Sequence, residues 1–312
     1  MSDNLWLVLE GGGTRSQAAL LDGVGHVVHS VNSADVNMHF TTLQESQAAV
    51  LAAVKGVLRG AQVSGSRVTH FVSALVDARF GVELLGEILP NASYHYYEEQ
   101  TVVFARAGLY RPHGVAVVAG TGATAWAVRA DDGRECVYGG WGSLLGDEGS
   151  GYALGLAGLR AAVRAFEGRA EAPSRLFTAV LGHFGFAEPT FREDLVFLAY
   201  HKPLTRAEIA ALAAVVTGLA AQGDPLAARL TAEAAADLTA LALHAARRLF
   251  HPEESFDVAI AGGLTNAGEL VLGPFRQGLT QEFPRAILHI GAEAPAVALG
   301  RLALYDQHAN NP

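Results

Sequence analysis

Glycine turns that follow short apolar runs carry most of the candidate chemistry in this sequence. The first turn, EGGGTRS, begins at Glu10 and directly follows the apolar run of residues 5–9. Such a turn presents backbone N–H groups to an anion with no Cβ in the way. Thr14 and Arg15 add a hydroxyl and a positive charge, and Glu10 could hold Mg²⁺ through water. The alternative is a hairpin turn with an incidental acid.

Two more turns of this kind occur, one in the middle of the chain and one late. They are Gly120-Thr121-Gly122 and Gly262-Gly263, and each directly follows a short apolar run. The later turn opens a predicted helix, whose N-terminus favours anions. Each turn alone is also consistent with ordinary chain reversal, and neither a P-loop nor GxGxxG is present. Together, the three turns fit a nucleotide held between two domains.

The segment from Gly139 to Gly151 is the most specific one. It has six glycines in 13 residues, which excludes a helix or an ordinary strand. Trp141 has little local packing there, so a sugar or base face could be its partner. Asp147 and Glu148 supply hydrogen-bond acceptors in the same loop. The alternative is a glycine-rich flap with solvated acids.

Phosphoryl transfer to a hydroxyl needs a carboxylate near the acceptor oxygen. The candidates are Asp77, Glu98, Glu99 and Asp147. Glu98 and Glu99 stand where a strand with several tyrosines meets a predicted helix. Simple capping of that helix is the competing explanation for these two acids, because the helix dipole favours carboxylates there.

Composition narrows the class of protein. The chain has 312 residues, half of them apolar, with 22 Lys and Arg against 31 Asp and Glu, a net charge of −9. The negative balance argues against nucleic-acid binding and against a membrane surface. The single cysteine, Cys136, excludes an internal disulfide, a cysteine-built zinc site and an iron–sulfur cluster held within one chain. We therefore expect a soluble protein of the reducing cytoplasm.

The elements repeat one arrangement twice. A strand–glycine–strand unit is predicted over residues 5–31 and again over 115–138, and the chain after Gly151 is mainly helical. Helices are also predicted over 225–250, 266–278 and 295–305. We predict an N-terminal domain over 1–113, with the helix 295–307 packing back on it, and a C-terminal domain over 114–294.

Four segments together resemble the N-acetylglucosamine kinases of the actin–hexokinase superfamily of sugar kinases and ATPases. They are EGGGTRS at Glu10, GTG at Gly120, GGWGSLLGDEGS at Gly139 and the pair Gly262-Gly263. The resemblance runs from about Leu5 to Leu304. It implies an α/β fold of two ribonuclease-H-like domains, each with a mixed five-stranded sheet, and an inter-domain cleft for ATP and sugar.

The resemblance also implies roles for individual residues. The ATP phosphates would meet Gly11, Gly12, Gly13, Thr14, Arg15, Gly120, Thr121 and Gly122, and the adenosine would meet Gly262, Gly263 and Asn266. The sugar would contact Asn37, Thr124, Trp141, Gly142 and Asp147. Glu10 would be the metal-linked acid. The sequence departs from the family at Glu99, where the catalytic base is usually Asp, and at Thr124, where Asn is usual.

The predicted activity is transfer of the γ-phosphoryl group of ATP to the 6-hydroxyl of an amino sugar, with Mg²⁺ as cofactor. N-acetylglucosamine is the leading candidate for that sugar. A homodimer is the state that the resemblance implies. The alternative is a sugar- or nucleotide-binding regulator with weakened catalysis, motivated by the longer acid at Glu99. A third possibility, an ATPase that activates 2-hydroxyacyl-CoA dehydratases, needs paired cysteines, and Cys136 stands alone.

Overall fold

The structure is a computed structural model that describes residues 4–12, 15–38, 41–75 and 79–310. The chain divides into two compact units, one formed by Met1–Pro112 with Ile290–Pro312 and the other by His113–His289. Each unit contains one five-stranded sheet with both parallel and antiparallel strand pairs. The predicted α/β class with two mixed five-stranded sheets is therefore confirmed.

The first unit is arranged around the strand that carries Glu10. Its elements are β1 (Leu5–Gly11), β2 (Ser16–Asp22), β3 (Val27–Ser33), α1 (Leu43–Ala61), β4 (Val68–Leu75), α2 (Val82–Leu85), β5 (Ser93–Tyr96), α3 (Glu99–Arg106) and the late helix α10 (Pro295–Asn310). The sheet order is β3-β2-β1-β4-β5. Because β1 pairs parallel to β4, and β4 parallel to β5, their carboxyl ends lie at one edge.

The alternation of side chains along β1 gives this sheet two apolar faces. Leu5, Leu7 and Leu9 pack in one core cluster with α1. Trp6 and Val8 point the other way and pack with α3 and α10. Since Glu10 continues the alternation after Val8, its side chain belongs to the face that α3 and α10 cover.

The second unit places a largely helical layer against its sheet. Its elements are β6 (Gly114–Ala119), β7 (Ala123–Val128), β8 (Glu135–Gly139), α4 (Gly151–Phe166), α5 (Leu176–Phe184), α6 (Phe191–Tyr200), α7 (Arg206–Ala221), α8 (Pro225–Leu249), β9 (Asp257–Ala261), α9 (Glu269–Glu282) and β10 (Ile287–Ile290). The sheet order is β10-β9-β6-β7-β8. Buried alanines and leucines of α8 share one core cluster with β6, β7 and β9.

One sequence expectation needs correction, and one strand was not predicted. The helix predicted over 266–278 does not begin at Asn266, because residues Gly263–Ala267 form a short 3₁₀ turn and α9 begins only at Glu269. Gly268 has φ of +59° and interrupts the helical path between them. The strand β10 is too short to show a clear alternation, and the sequence did not predict it.

Among the described residues, no single helix is both long and apolar enough to cross a membrane. The bent pair α7 and α8 meets that requirement only when the two helices are taken together.

Candidate active site

The carboxyl edge of the first sheet brings two acids close together. Glu10 lies near the end of β1, opposite Ala74 of β4. The Tyr97 N–H donates to the Ser73 carbonyl at 2.8 Å, so the chain leaves β5 at this same edge. It turns directly into α3, whose first residue is Glu99. The two acids are close enough that the charge of Glu99 acts on Glu10.

The environment of Glu10 disfavours its charged form. Burial raises the pKa of Glu10 from 4.5 to about 8, and the negative charge of Glu99 adds to the rise. The Arg106 guanidinium opposes it. Arg106 lies two turns along α3 from Glu99, and its Nε donates to the Glu293 carbonyl at 2.8 Å. Glu10 is therefore mostly protonated at neutral pH when no cation is bound.

The neighbouring acid Glu98 has a different environment. It precedes α3, makes no side-chain cap, and is exposed beside Arg79, with 3.8 Å between Oε1 and Nη2. Glu99 is partly buried and interacts with Glu10. Of the two acids, Glu99 is the more buried one and the one whose charge acts on Glu10, and its catalytic role stays a prediction. Asp77 lies outside the described residues.

The glycines after Glu10 differ in the space around them. A Cβ at Gly11 would lie 2.1 Å from Val36 Cγ2 and 2.8 Å from Leu75 Cδ2, so any larger residue would force these buried side chains to shift. Among the described residues other than its chain neighbours, no atom lies within 4 Å of a Cβ placed at Gly12. The Gly12 N–H donates to the Arg15 carbonyl at 3.2 Å, and Arg15 is exposed. The predicted phosphate contacts Gly13 and Thr14 lie outside the described residues.

Asn37 lies next to this turn, because its neighbour Val36 packs against Gly11. Asn37 is buried, and its backbone is held in place. Its N–H donates to Asp35 Oδ1 at 2.8 Å, and its carbonyl accepts from the N–H and the hydroxyl of Thr41. The structure thus brings Glu10, Gly11 and Asn37 into one corner of the first unit.

In the second unit, the GTG turn joins β6 to β7. The Gly120 N–H donates to the Gly122 carbonyl at 3.0 Å. The first N–H groups of α4 also reach this turn: Gly151 donates to Gly120 at 2.8 Å and Tyr152 donates to Thr121 at 3.2 Å. The GTG turn is therefore held by a hydrogen bond within the turn and by two hydrogen bonds from the start of α4.

The late glycine pair lies against the GTG turn. A Cβ at Gly262, which has φ of +137°, would lie 2.3 Å from the Ala119 carbonyl oxygen and 2.7 Å from the Gly120 nitrogen. Gly263 and Asn266 are exposed in the 3₁₀ turn that follows. The two glycine turns predicted for this unit are therefore neighbours in space.

The glycine-rich loop displays its apolar side chains. Trp141 is 73% exposed, with Leu144 and Leu145 also exposed. Gly140 and Gly142 have φ of +72° and +80°, which favours glycine at both positions. Thr124 of β7 lies beside Gly140, since a Cβ there would be 2.8 Å from Thr124 Oγ1. The structure thus brings the predicted sugar contacts Thr124, Trp141 and Gly142 together.

Asp147 points inward from the same loop. It is 3% exposed, and its Oδ2 accepts from Arg206 Nη2 at 2.9 Å. Its Oδ1 accepts from the Ala123 N–H at 3.3 Å, directly after the GTG turn. Asp147 therefore joins the loop to the turn and to α7, and its predicted contact with sugar remains untested.

Sequence reasoning missed Arg106 and Arg206. Arg106 follows four apolar residues in α3, and a charge at the end of such a run is a signal for a buried partner. Arg206 is the first residue of α7, where the helix dipole disfavours a cation. A cation at that position also indicates that the side chain has a partner of opposite charge. Neither pattern identifies which residue is the partner of Arg106 or of Arg206.

The chain is similar in sequence to one protein family and to known kinases. The sequence profile of the BadF/BadG/BcrA/BcrD ATPase family matches residues 9–299. An N-acetylmuramic acid/N-acetylglucosamine kinase of Clostridium acetobutylicum is 31% identical over 179 residues, which is 57% of this chain. That alignment spans 56% of the relative, little more than half of its length.

Two other similarities extend over nearly the whole chain. An N-acetyl-D-glucosamine kinase of Dictyostelium discoideum is 25% identical over 326 residues, covering 97% of this chain and 99% of the relative. The structure of a ROK family glucokinase from Streptomyces griseus, in complex with glucose and AMPPNP, has a TM-score of 0.64 at 18% identity. It covers 96% of this chain and 98% of that one, and it shows a shared fold.

Proposed function

Because the chain belongs to the BadF/BadG/BcrA/BcrD ATPase family, we propose that it is an ATP-dependent sugar kinase. The proposed acceptor is the 6-hydroxyl of an amino sugar, and N-acetylglucosamine is the leading candidate. One observation carries the proposal: the 25% identity to an N-acetyl-D-glucosamine kinase runs over 97% of the chain. The pairing of Glu10 with Glu99 at one sheet edge adds a carboxylate suited to the chemistry.

The proposed reaction assigns Glu99 the role of general base. Its carboxylate accepts the proton of the sugar 6-hydroxyl as that oxygen attacks the γ-phosphorus of ATP. The new O–P bond forms while the bond from the γ-phosphorus to the bridging oxygen breaks, and ADP leaves. The glycine turns at Gly11 and Gly120 let the backbone approach the phosphates, and Arg15 supplies positive charge.

The residues present fit Mg²⁺. No group of three or more His, Cys, Asp or Glu side chains is arranged as a metal site among the described residues. Mg²⁺ commonly uses one or two carboxylates together with water and phosphate oxygens. Glu10 would hold the ion through water, since its buried carboxyl lies beside a second acid. When bound, the ion supplies charge that offsets the phosphates.

Each unit, taken by itself, contains residues that we propose as sugar contacts. In the first unit, Asn37 is held in a buried turn beside Gly11. In the second, Trp141 offers an exposed indole face to the ring, and the other proposed contacts, Thr124, Gly142 and Asp147, lie in the same loop or beside it. An indole face suits the apolar face of a pyranose. Relatives named for N-acetylmuramic acid and N-acetylglucosamine make both sugars candidates.

The test is ADP release coupled to a panel of sugars: N-acetylglucosamine, N-acetylmuramic acid, N-acetylmannosamine, glucosamine and glucose. We expect turnover with N-acetylglucosamine that needs both ATP and Mg²⁺, and a product phosphorylated at the 6-position by NMR. Absence of sugar-stimulated ADP from the whole panel would end the kinase proposal. Sugar binding by calorimetry without turnover would support the regulator instead.

We also propose a cytoplasmic location and a homodimer. The single Cys136 is consistent with a reducing compartment, where ATP is available. The homodimer follows from the resemblance to N-acetylglucosamine kinases. Light scattering of the purified chain tests it, and a monomer at micromolar concentration would contradict it.

A further inference from the structure

We propose that Arg206 is a positioning residue for the sugar-binding loop. It holds Asp147 in place, and through Asp147 it ties the loop 139–150 to the turn after β6. This inference rests on the proposed kinase function only for its effect on sugar affinity. Its structural claim concerns the order of the loop.

Asp147 connects three segments of the second unit. Its Oδ2 accepts from Arg206 Nη2 at 2.9 Å, and its Oδ1 accepts from the Ala123 N–H at 3.3 Å. A Cβ at Gly122 would lie 3.0 and 3.1 Å from the two carboxylate oxygens, so the carboxylate lies directly against the turn. The Asp147 carbonyl accepts from the Ser150 N–H at 3.0 Å, at the start of α4.

The burial of this ion pair makes the two partners depend on each other. Asp147 is 3% exposed and the Arg206 side chain is 19% exposed. A buried carboxylate is strongly penalised when its cation is removed. Asp147 also has φ of +63°, a backbone conformation that few non-glycine residues adopt, so its position depends on outside contacts.

Arg206 is poorly explained by the needs of its own helix. As the first residue of α7, it places a cation at the end where the helix dipole favours anions. The start of α7 is already fixed by Thr205 and Glu208, which form a reciprocal capping box. The ion pair with Asp147 accounts for a cation at this first position of α7.

The place of Arg206 is set by close helix packing. A Cβ at Gly155 of α4 would lie 2.0 Å from the Ile209 carbonyl oxygen, so α4 and α7 meet backbone to backbone. Ile209 is in the first turn of α7, one turn from Arg206. The arginine is therefore held at the start of a closely packed pair of helices, from which its side chain reaches Asp147.

The contacts continue from Asp147 to the proposed sugar contact. A Cβ at Gly146 would lie 3.2 Å from Trp141 Cβ, so the tryptophan folds back on the residue before Asp147. The GTG turn has separate support, because Gly151 and Tyr152 donate to it. Loss of Arg206 should therefore loosen the loop more than the turn, and affect the sugar more than ATP.

The kinetic arm compares Arg206→Gln with Arg206→Lys and with the control Arg160→Gln, an exposed arginine of α4. We expect Arg206→Gln to raise the KM for N-acetylglucosamine about tenfold, since small misplacements of positioning groups have such effects. The KM for ATP should stay within twofold. Arg206→Lys keeps the charge and should recover part of the affinity. Equal rises in both KM values, or no rise in either, would overturn the proposal.

The structural arm needs no activity. Hydrogen exchange should become faster in Arg206→Gln at the amides of Gly146 and Ser150, which are hydrogen-bonded within the loop, and stay unchanged in α8. If Arg206→Gln does not fold, the double variant Asp147→Asn/Arg206→Gln removes both charges and should fold with the same fast loop exchange. Unchanged loop exchange would refute the positioning role. Faster exchange in a chain without kinase activity would instead reject only the proposed function.

Discussion

Glu10→Gln should stabilise the metal-free protein at neutral pH while it removes kinase activity. Burial and the charge of Glu99 raise the pKa of Glu10 from 4.5 to about 8. The folded chain therefore keeps a proton on Glu10 that the unfolded chain releases above pH 4.5. Stability from this group is fully present below pH 4.5 and is lost as the pH rises toward 8. Glutamine resembles the protonated form and avoids that loss.

The size of the effect follows from the pKa. About 2.5 pH units separate 4.5 from pH 7, and each unit corresponds to about 1.36 kcal/mol. Glu10→Gln should thus be more stable than the wild type by about 3 kcal/mol at pH 7. The difference should be near zero at pH 4.5 and should stop growing above pH 8. Its growth with pH separates this mechanism from a change in packing.

The assay is urea unfolding between pH 5 and pH 8 in a chelator and without nucleotide. Replacing Trp126 and Trp141 by Phe in both proteins leaves Trp6 as the reporter, and Trp6 is buried in the first unit. The control Glu87→Gln removes an exposed carboxylate of the same unit and should give a small difference independent of pH. A Glu10→Gln protein that is less stable at pH 7, or a difference constant with pH, would refute the reasoning.

Three further variants test other features. Glu99→Gln should lower kcat by a factor of about 10² to 10⁴ with little change in sugar KM, because a general base is lost. The control Glu98→Gln should behave like the wild type in the same ADP-release assay, since Glu98 is exposed beside Arg79. A kcat of Glu99→Gln within tenfold of the wild type would indicate another base. Gly11→Ala should cost about 1–3 kcal/mol in urea unfolding because its Cβ meets Val36, and equal stability of the two proteins would contradict the packing. Asp224→Ala should cost about 3 kcal/mol in thermal unfolding, since the buried carboxylate accepts from Ala227, Arg175 and Ser174, with Asp224→Asn losing much less. Burial would raise the pKa of Asp224, but these hydrogen bonds outweigh it and lower the pKa. The stabilisation by the Asp224 carboxylate should therefore fade as the pH drops below about 4. An Asp224→Ala protein that loses as much stability in acid as at neutral pH would exclude this explanation.

The sequence predicted the fold well where local chemistry determines it. Buried strands that end in glycine, such as the one before Gly120, have an apolar run and a turn signal side by side. The start of α8 was also readable, because Asp224 and Pro225 form a cap and a first helical residue. The start of α9 was placed too early, since nothing local shows that Gly268 adopts a positive φ.

The site was less predictable because its electrostatics come from residues far apart in the chain. Glu10 and Glu99 were both singled out, but the protonation of Glu10 depends on burial and on Arg106, which only the folded chain brings near. Asp147 was predicted as a hydrogen-bond acceptor from its residue type and as a sugar contact from the family resemblance. Its ion pair joins residues 59 positions apart, and no local pattern indicates such a distance.

The position of α10 has a consequence for synthesis of the protein on the ribosome. The face of β1 that carries Trp6 and Val8 packs against Ala296, Leu299 and other side chains of this helix. Those residues follow the inserted unit in the chain, so the part of this face that α10 covers stays exposed while residues 113–289 are synthesised, whereas α3 can cover its own part earlier. The inserted unit His113–His289 can complete its own core first. A nascent chain halted before residue 295 should therefore expose the apolar surface that α10 normally covers on β1, and a chaperone could bind there.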